Sequence, residues 1–194
     1  MPGERRLARL EYVLRHRQPD LTVVMENIHD PHNVSAMLRS CDAAGVWEAQ
    51  LLYNREEFPK IGKKSSASAG KWIGRRKFKS VEECYGTLRE EGFKIYATRL
   101  DEKAQSLYDF DLTQKVAIVF GNEHRGVSDE AAEESDGLIQ IPMFGMIQSL
   151  NVSVATAVIL FEIVRQRISA GQYARTKLSE KEMKRLLKEW AMKD

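Results

Sequence analysis

Three segments of the sequence combine polar side chains with glycine or proline at the end of an apolar run. They are NIHDPHNVSAMLRSCDAAG at residues 27–45, VAIVFGNEHRG at residues 116–126 and IPMFGMIQSLNVSVA at residues 141–155. Amide, carboxylate, hydroxyl and guanidinium groups at the ends of strands can bind and orient a polar substrate. Glycines in such loops let a flat ligand approach the backbone closely.

In the first segment a proline turn leads into a helical pattern. Pro31 turns the chain, and Asn33 or Ser35 could cap the helix that follows. Arg39 lies about 100° past Leu38, on the margin of the apolar face of that helix, where it could meet a substrate. An ordinary cap and a surface charge would give the same pattern.

The other two segments contain glycine in loops. Glu123 lies at the tip of the GNEHRG loop, between glycines at both ends. Ser149 and Asn151 lie near the start of a long apolar helix, where backbone N–H groups need partners. Apolar side chains in a loop are unusual unless they line a pocket or an interface. This description applies to Met143, Phe144, Met146 and Ile147.

Several familiar motifs are absent from the sequence. It contains no GxGxxG turn, no GxxxxGK[ST] loop and no GxSxG elbow, which weakens the dinucleotide, P-loop and acyl-transfer interpretations. His29 and His32 lie in a proline-containing turn without supporting cysteines. Structural metal sites normally have four ligands, so we predict no metal site.

Apolar runs rich in strand-forming residues alternate with helical patterns along the chain. This alternation predicts an α/β fold in which a mostly parallel sheet is covered by helices on both faces. The predicted strands are residues 21–25, 49–53, 93–98, 116–120 and 138–141, and the predicted helices are residues 34–41, 81–91, 128–135 and 150–168.

Both ends of the chain predict short helical arms with basic faces. At about 100° per residue, the C-terminal basic stripe lies roughly opposite the apolar one, so one face could dock while the other meets phosphates. A solvated helix would fit equally well. The apolar positions are Leu7, Leu10 and Leu14 at one end and Met183, Leu186, Leu187 and Trp190 at the other; the C-terminal basic positions are Lys181, Lys184, Arg185 and Lys188.

The net charge of +2 is unevenly distributed along the 194 residues. Residues 55–79 and 165–194 are basic, whereas residues 101–140 are acidic. This distribution suggests a polyanion such as nucleic acid, although solvated faces would also explain it. We interpret Cys41 and Cys84 as reduced core residues. No apolar run is long enough for a membrane span, and the N-terminus lacks a signal-peptide pattern, so we predict a cytoplasmic protein without a membrane partner.

Together, the three segments resemble the three motifs of the SPOUT methyltransferases, in particular those of the TrmH-type tRNA ribose methyltransferases. The matching residues are 33–39, 121–126 and 141–155. The resemblance continues in RQPDLTVVMEN at residues 17–27 and in GQYARTKL after the long helix. It covers essentially the whole chain and is weakest in residues 54–69.

The resemblance implies a fold, a cofactor and an assembly. The C-terminal part of the sheet would be tied into a deep trefoil knot, and the protein would be a homodimer that binds S-adenosylmethionine without a metal. An N-terminal arm (residues 1–18) and a basic C-terminal arm (residues 170–194) would flank the methyltransferase domain (residues 19–169). The cofactor would contact the backbone around Leu100, Gly121, Ile141, Met146 and Leu150.

The resemblance also implies 2′-O-methylation of a ribose in tRNA, with guanosine 18 of the D-loop as the expected target. Arg39 would act at the ribose, oriented by Asn33, and Glu123, Ser149 and Asn151 would complete the site. Free arginine has a pKa of roughly 12.5–13.8, so we favour an Arg39 that holds a phosphate and stabilises the 2′-oxyanion over one that takes the proton itself. We predict RNA contacts for Arg9, Arg17, His32, Arg125, Arg165, Arg167, Arg175, Lys184 and Lys188.

Three alternatives stay open from the sequence. The first is a ribosomal RNA ribose methyltransferase, against which the basic arms argue. The second is a non-catalytic RNA-binding protein of the same fold, although Arg39, Glu123 and Asn151 are all present. The third is an enzyme with a small-molecule substrate, against which the basic blocks argue.

Overall fold

Apolar, β-branched runs of the sequence form the central strands of the protein. The structure is a computed structural model that describes residues 3–59 and 69–193. Its strands are β1 (Gln18–Glu26), β2 (Val46–Leu52), β3 (Gly74–Phe78), β4 (Lys94–Thr98), β5 (Gln105–Ser106), β6 (Val116–Phe120) and β7 (Gly137–Gln140).

These strands form one sheet in the order β3-β2-β1-β6-β4-β7-β5, and every pair is parallel. The strand order reverses beside β1, because β2 and β3 lie on one side of it and the later strands lie on the other. In such open sheets, ligands bind beyond the carboxyl ends of the strands at the reversal. The loops after β1 and β6 therefore occupy the favoured position for a site.

Helices cover both faces of the sheet, as parallel strands require. The α-helices of the described residues are α1 (Glu4–Arg15), α2 (Pro31–Ala43), α3 (Ala69–Trp72), α4 (Val81–Glu90), α5 (Asp129–Glu133), α6 (Val152–Ser169) and α7 (Glu180–Ala191).

Successive residues of β1 serve two separate hydrophobic cores. Val23 and Met25 lie in the core beneath α2 and α6, whereas Val24 lies in the core beneath α4 and α5. This division follows from the period of two along a strand, which sends neighbouring side chains to opposite faces. The two cores fix the sheet edge from which the site loops emerge.

The terminal helices α1 and α7 pack against each other rather than against the sheet centre. Leu10 and Leu14 of α1 meet Leu186 and Trp190 of α7, and Trp72 stacks obliquely on Trp190 with ring centroids 5.0 Å apart. Ser179 is the N-cap of α7, and its hydroxyl and the Glu182 carboxylate form a reciprocal capping box. No helix of the described residues is long and apolar enough to cross a membrane.

The predicted α/β class and all five predicted strands are confirmed, with ends that differ by up to three residues. Cys41 and Cys84 are buried and free, as predicted. The structure adds β3, β5 and α3, which the sequence did not indicate. The prediction that Asn33 or Ser35 caps α2 was wrong. Asp30 is the cap, and it accepts a hydrogen bond from the His32 N–H.

Candidate active site

A cleft of about 850 Å³ opens where β4, β6 and β7 end. The loop after β4 borders it with Leu100, and the GNEHRG loop after β6 borders it with residues 121–126. The third border is the segment before α6, which contributes Ile141, Met143 and residues 148–151. The second and third sequence segments therefore meet at this cleft.

Glu123 is anchored by the segment that follows β1. Its Oε1 accepts hydrogen bonds from the Asn33 side-chain amide at 2.8 Å and from the Asp30 backbone N–H at 3.1 Å. Its Oε2 accepts one from the His29 backbone N–H at 3.0 Å. The carboxylate thereby joins the first sequence segment to the second.

A hydrogen-bond chain continues from Glu123 to the start of α6. Asn151 Nδ2 donates to Asn33 Oδ1 at 3.1 Å, and Asn151 Oδ1 accepts from the Ser153 N–H at 2.9 Å as the N-cap of the helix. Asn33 is 8% exposed, so its amide is held between Glu123 and Asn151 rather than in solvent. The three sequence segments are thus connected through three side chains.

The hydrogen bonds to Glu123 stabilise the ionised form of its carboxyl group. Burial alone would raise the pKa of this carboxyl, but the Asn33 side chain and the His29 and Asp30 backbone N–H groups outweigh burial and lower the pKa. Hydrogen bonds to a carboxylate favour its ionised form. Glu123 is therefore a charged acceptor at neutral pH and a poor proton acceptor.

The GNEHRG loop closes tightly on itself. A Cβ added at Gly121 would lie 2.1 Å from the Gly126 carbonyl carbon and from the Val127 nitrogen. Asn122 and Gly126 form an isolated antiparallel bridge, and Gly126 has a positive φ of 70°. Glycine is required at position 121 because no larger residue fits, and this close approach forms the rim of the cleft.

Four of the five predicted cofactor contacts line the cleft. They are Leu100, Gly121, Ile141 and Leu150. Met146 does not line it, and its side chain is 99% exposed. Among the predicted catalytic residues, Glu123, Ser149 and Asn151 line the cleft, whereas Asn33 lies directly behind Glu123.

Arg39 lies apart from this cleft. Its side chain is exposed on α2 and makes no hydrogen bond or ion pair within the part of the chain that the structure describes. The Asn33 side chain bonds to Glu123 and Asn151, and among the described residues Arg39 donates no hydrogen bond to it, in contrast to the expectation from the resemblance. Within one chain the structure does not bring Arg39 to the other site residues.

Seven of the nine predicted RNA contacts are exposed. Arg125 pairs with Glu56, and Arg165 pairs with Glu162 at 2.8 Å. The remaining five have exposed side chains and form no ion pair with a carboxylate among the described residues: Arg9, His32, Arg175, Lys184 and Lys188.

The prediction that Arg17 and Arg167 contact RNA was wrong, because both side chains are fully buried. Arg17 pairs with Asp42 at 2.5 Å and also donates to the Val46 carbonyl at 2.9 Å. Arg167 pairs with Asp20 at 2.7 Å.

All five N–H groups of Arg167 donate. Besides the side chain and carbonyl of Asp20, the acceptors are the Gln18 side chain and the Leu112 and Gln114 carbonyls. Such a fully paired guanidinium is a structural element, because exposing it would leave several buried acceptors without donors.

The structure adds polar residues to the site that the sequence analysis did not identify. Buried Asn122 donates to the Asn27 carbonyl at 2.8 Å and accepts from the His124 N–H at 2.9 Å. Glu56 contacts both Arg125 and His29, and the hydrogen bond from Arg125 is the largest cause of its lowered pKa. Of these residues, only Asn27 could have been noticed in the sequence, because an asparagine directly after a strand tolerates a left-handed backbone turn.

The described residues contain no group of three or more His, Cys, Asp or Glu side chains that could hold a metal ion. The His29 ring lies against Glu56, with Nδ1 and Oε2 3.2 Å apart. The polar side chains at the cleft carry amides, hydroxyls, carboxylates, guanidinium groups and an imidazole.

Comparison with known proteins identifies relatives of the chain. The family model described as SpoU rRNA Methylase family matches residues 20–161. A tRNA (guanosine(18)-2′-O)-methyltransferase of Thermus thermophilus is 48% identical over 190 residues, which cover 98% of this chain and 97% of that protein.

Two solved structures extend the comparison. The Aquifex aeolicus TrmH/SpoU tRNA modifying enzyme superposes with a TM-score of 0.90 at 41% identity, covering 97% of this chain and 95% of that one. The SpoU methyltransferase AviRb from Streptomyces viridochromogenes, solved in complex with the cofactor AdoMet, has a TM-score of 0.68 at 30% identity and covers 80% of this chain and 61% of that one. The chain therefore belongs to the SpoU rRNA methylase family.

Proposed function

We propose that this protein transfers a methyl group from S-adenosylmethionine to the ribose 2′-hydroxyl of guanosine 18 in tRNA. The observation that carries the proposal is the Asn33–Glu123–Asn151 hydrogen-bond chain, which joins all three family motifs beside the cleft. The Thermus relative of this name is matched along nearly its whole length, including both terminal arms. This length of match favours tRNA over ribosomal RNA as the substrate.

The cleft suits S-adenosylmethionine in size and in lining. Its volume of about 850 Å³ lies within the usual range for sites of cofactor-sized molecules. Gly121, Ile141 and Leu150 offer backbone groups and apolar surface suited to a flat adenine ring. The AviRb complex with AdoMet supports the same cofactor here.

The bound cofactor would supply an electrophilic sulfonium methyl, so the protein must position and activate the ribose hydroxyl. Glu123 would not take the proton, because its lowered pKa makes it a weak base. It fixes Asn33 instead, and Asn33 in turn accepts a hydrogen bond from Asn151 beside the cleft. Arg39 would hold a neighbouring phosphate and stabilise negative charge on the 2′-oxygen.

We also propose that the active form is a homodimer. Large apolar side chains are exposed on one continuous stretch of chain: Phe144, Met146, Ile147, Val154 and Phe161. A group of large exposed apolar side chains is typical of an interaction site. Because Arg39 does not line the cleft of its own chain, we propose that it reaches the cleft of the partner subunit.

Three further features remain part of this proposal. The segment from β6 to α6 forms a deep trefoil knot, as the family resemblance implies. The basic arms at residues 1–18 and 170–194 bind tRNA around residues 19–169, which form the catalytic domain. The protein acts in the cytoplasm, because its tRNA substrate is there.

The experiment is a methyl-transfer assay with labelled cofactor and three RNAs. These are a tRNA transcript with guanosine at position 18, the same transcript with adenosine at that position, and ribosomal RNA. We expect label only in the first transcript, mapped to a 2′-O-methylguanosine at position 18. Label on ribosomal RNA alone, on another nucleotide or on no RNA would overturn the proposal.

A further inference from the structure

Asn27 has an unusual backbone conformation directly behind the site. It follows β1 and has a φ of 50°, the one positive φ of a non-glycine residue in residues 3–59 and 69–193. It is also only 3% exposed. A left-handed conformation is unfavourable for most L-residues and persists where the surroundings enforce it.

The backbone of Asn27 determines where the following N–H groups point. Two and three residues later, the His29 and Asp30 N–H groups donate to the two oxygens of Glu123. The Asn27 carbonyl accepts from the side chain of Asn122, the immediate neighbour of Glu123. The turn at Asn27 thus holds Glu123 from two directions.

The side chain of Asn27 holds the segment that follows β2. Its Oδ1 accepts from the backbone N–H groups of Arg55 at 3.1 Å and Glu56 at 3.3 Å. Its Nδ2 donates to the side chain of Asn54 at 2.7 Å. Glu56 in turn contacts Arg125, so this amide fixes the carboxylate that holds a cation of the GNEHRG loop.

We infer that Asn27 is a positioning residue with two separable roles. Its left-handed backbone directs the His29 and Asp30 N–H groups toward Glu123. Its side chain positions Glu56, which in turn holds Arg125. The functional consequence rests on the proposed tRNA methylation, in which Glu123 serves the methyl-transfer step and Arg125 serves RNA binding. The two roles therefore affect different kinetic constants.

Two substitutions separate the roles. Asn27→Gly tolerates the left-handed backbone but removes the side chain, so KM for tRNA rises while kcat stays close to the wild-type value. Asn27→Ala removes the side chain and also disfavours the backbone, so KM rises and kcat falls by about tenfold to a hundredfold. Asn54→Ala is the matched control, since it removes only the exposed acceptor of Asn27 Nδ2 and should leave kcat unchanged.

Hydrogen exchange of the free protein gives a readout that needs neither tRNA nor methyl transfer. The His29 and Asp30 amides should exchange faster in Asn27→Ala than in Asn27→Gly or the wild type, because they lose their bonds to Glu123. Failure of the proposed function would be seen as an inactive wild type with this exchange pattern intact.

Equal kcat losses in the glycine and alanine variants, or unchanged exchange in Asn27→Ala, would overturn the inference. If Asn27→Ala does not fold, the kinetic constants of Asn27→Gly alone test the inference. A raised KM at unchanged kcat supports the inference, and a lowered kcat at unchanged KM contradicts it.

Discussion

At the scale of single residues, Glu123 is a carboxylate committed to structure. Asn33 and two backbone N–H groups donate to it, and these donors outweigh burial and lower its pKa. A carboxyl whose folded-state pKa is depressed stabilises the fold above its unfolded pKa, roughly 4.3 for glutamate. That contribution is lost as the pH falls through the lower folded-state value.

We predict that Glu123→Gln is less stable than the wild type at pH 7 and that the difference shrinks below about pH 4.3. The glutamine amide keeps one acceptor oxygen but presents an NH₂ group to donors, so one of the three hydrogen bonds must be lost. Urea unfolding at pH 7 and at pH 3.5 measures the two differences. A difference independent of pH would contradict this role for the carboxylate.

Residue type alone could not separate structural arginines from RNA-binding ones. Arg165 and Arg167 are two positions apart on α6, yet one is exposed and the other is fully buried. The difference comes from Asp20, which lies 147 positions away in sequence and meets Arg167 only in the folded protein. By contrast, the proximity of Glu123 and Asn151 could be predicted, because both lie in the family motifs and both line the cleft.

At the scale of elements, α7 has one buried apolar face and one exposed basic face. Leu186 and Trp190 are buried against α1, while Lys184 and Lys188 are exposed. This arrangement matches the helical pattern in the sequence and places the two lysines one turn apart, spaced to contact a phosphate backbone.

We predict that the double substitution Lys184→Ala/Lys188→Ala weakens tRNA binding and reduces the salt dependence of log Kd by about one unit of slope per lost contact. The kcat at saturating tRNA should stay unchanged, since α7 lies outside the cleft. Lys94→Ala is the matched control, because Lys94 is an exposed lysine at the start of β4, outside the terminal arms. Equal effects of the control and the double substitution would argue against α7 as an RNA-binding element.

The elements missed in the sequence share a physical explanation. Strand β3 is the edge strand and reads GRRKF, with three cations that hide its strand character. Charged edge strands are common because they discourage pairing with other chains. Strand β5 has only two residues and depends on β7 for its conformation, so no periodicity could reveal it.

At the scale of the whole molecule, the separation of Arg39 from the cleft makes the proposed dimer testable. If each cleft takes Arg39 from the partner subunit, two different inactive variants can complement each other. Arg39→Ala alone should bind cofactor but not methylate tRNA, and Glu123→Ala alone should also be inactive.

We predict that co-refolding equal amounts of these two variants restores about a quarter of wild-type activity. Half of the dimers formed at random are mixed, and each mixed dimer has one intact cleft that faces an intact Arg39. Separately refolded variants combined without exchange provide the control. Absence of activity after verified mixing would place Arg39 in its own subunit's cleft.

The Asn33–Glu123–Asn151 connection also bears on protein synthesis. Its two hydrogen bonds span 90 and 118 positions of sequence, and β1 must pair with β6 before they can form. Contacts between such distant segments form late, after the cost of closing long loops has been met. A nascent chain still lacking α6 therefore has no assembled site, and activity should first appear in the cell only after nearly the whole polypeptide has left the ribosome.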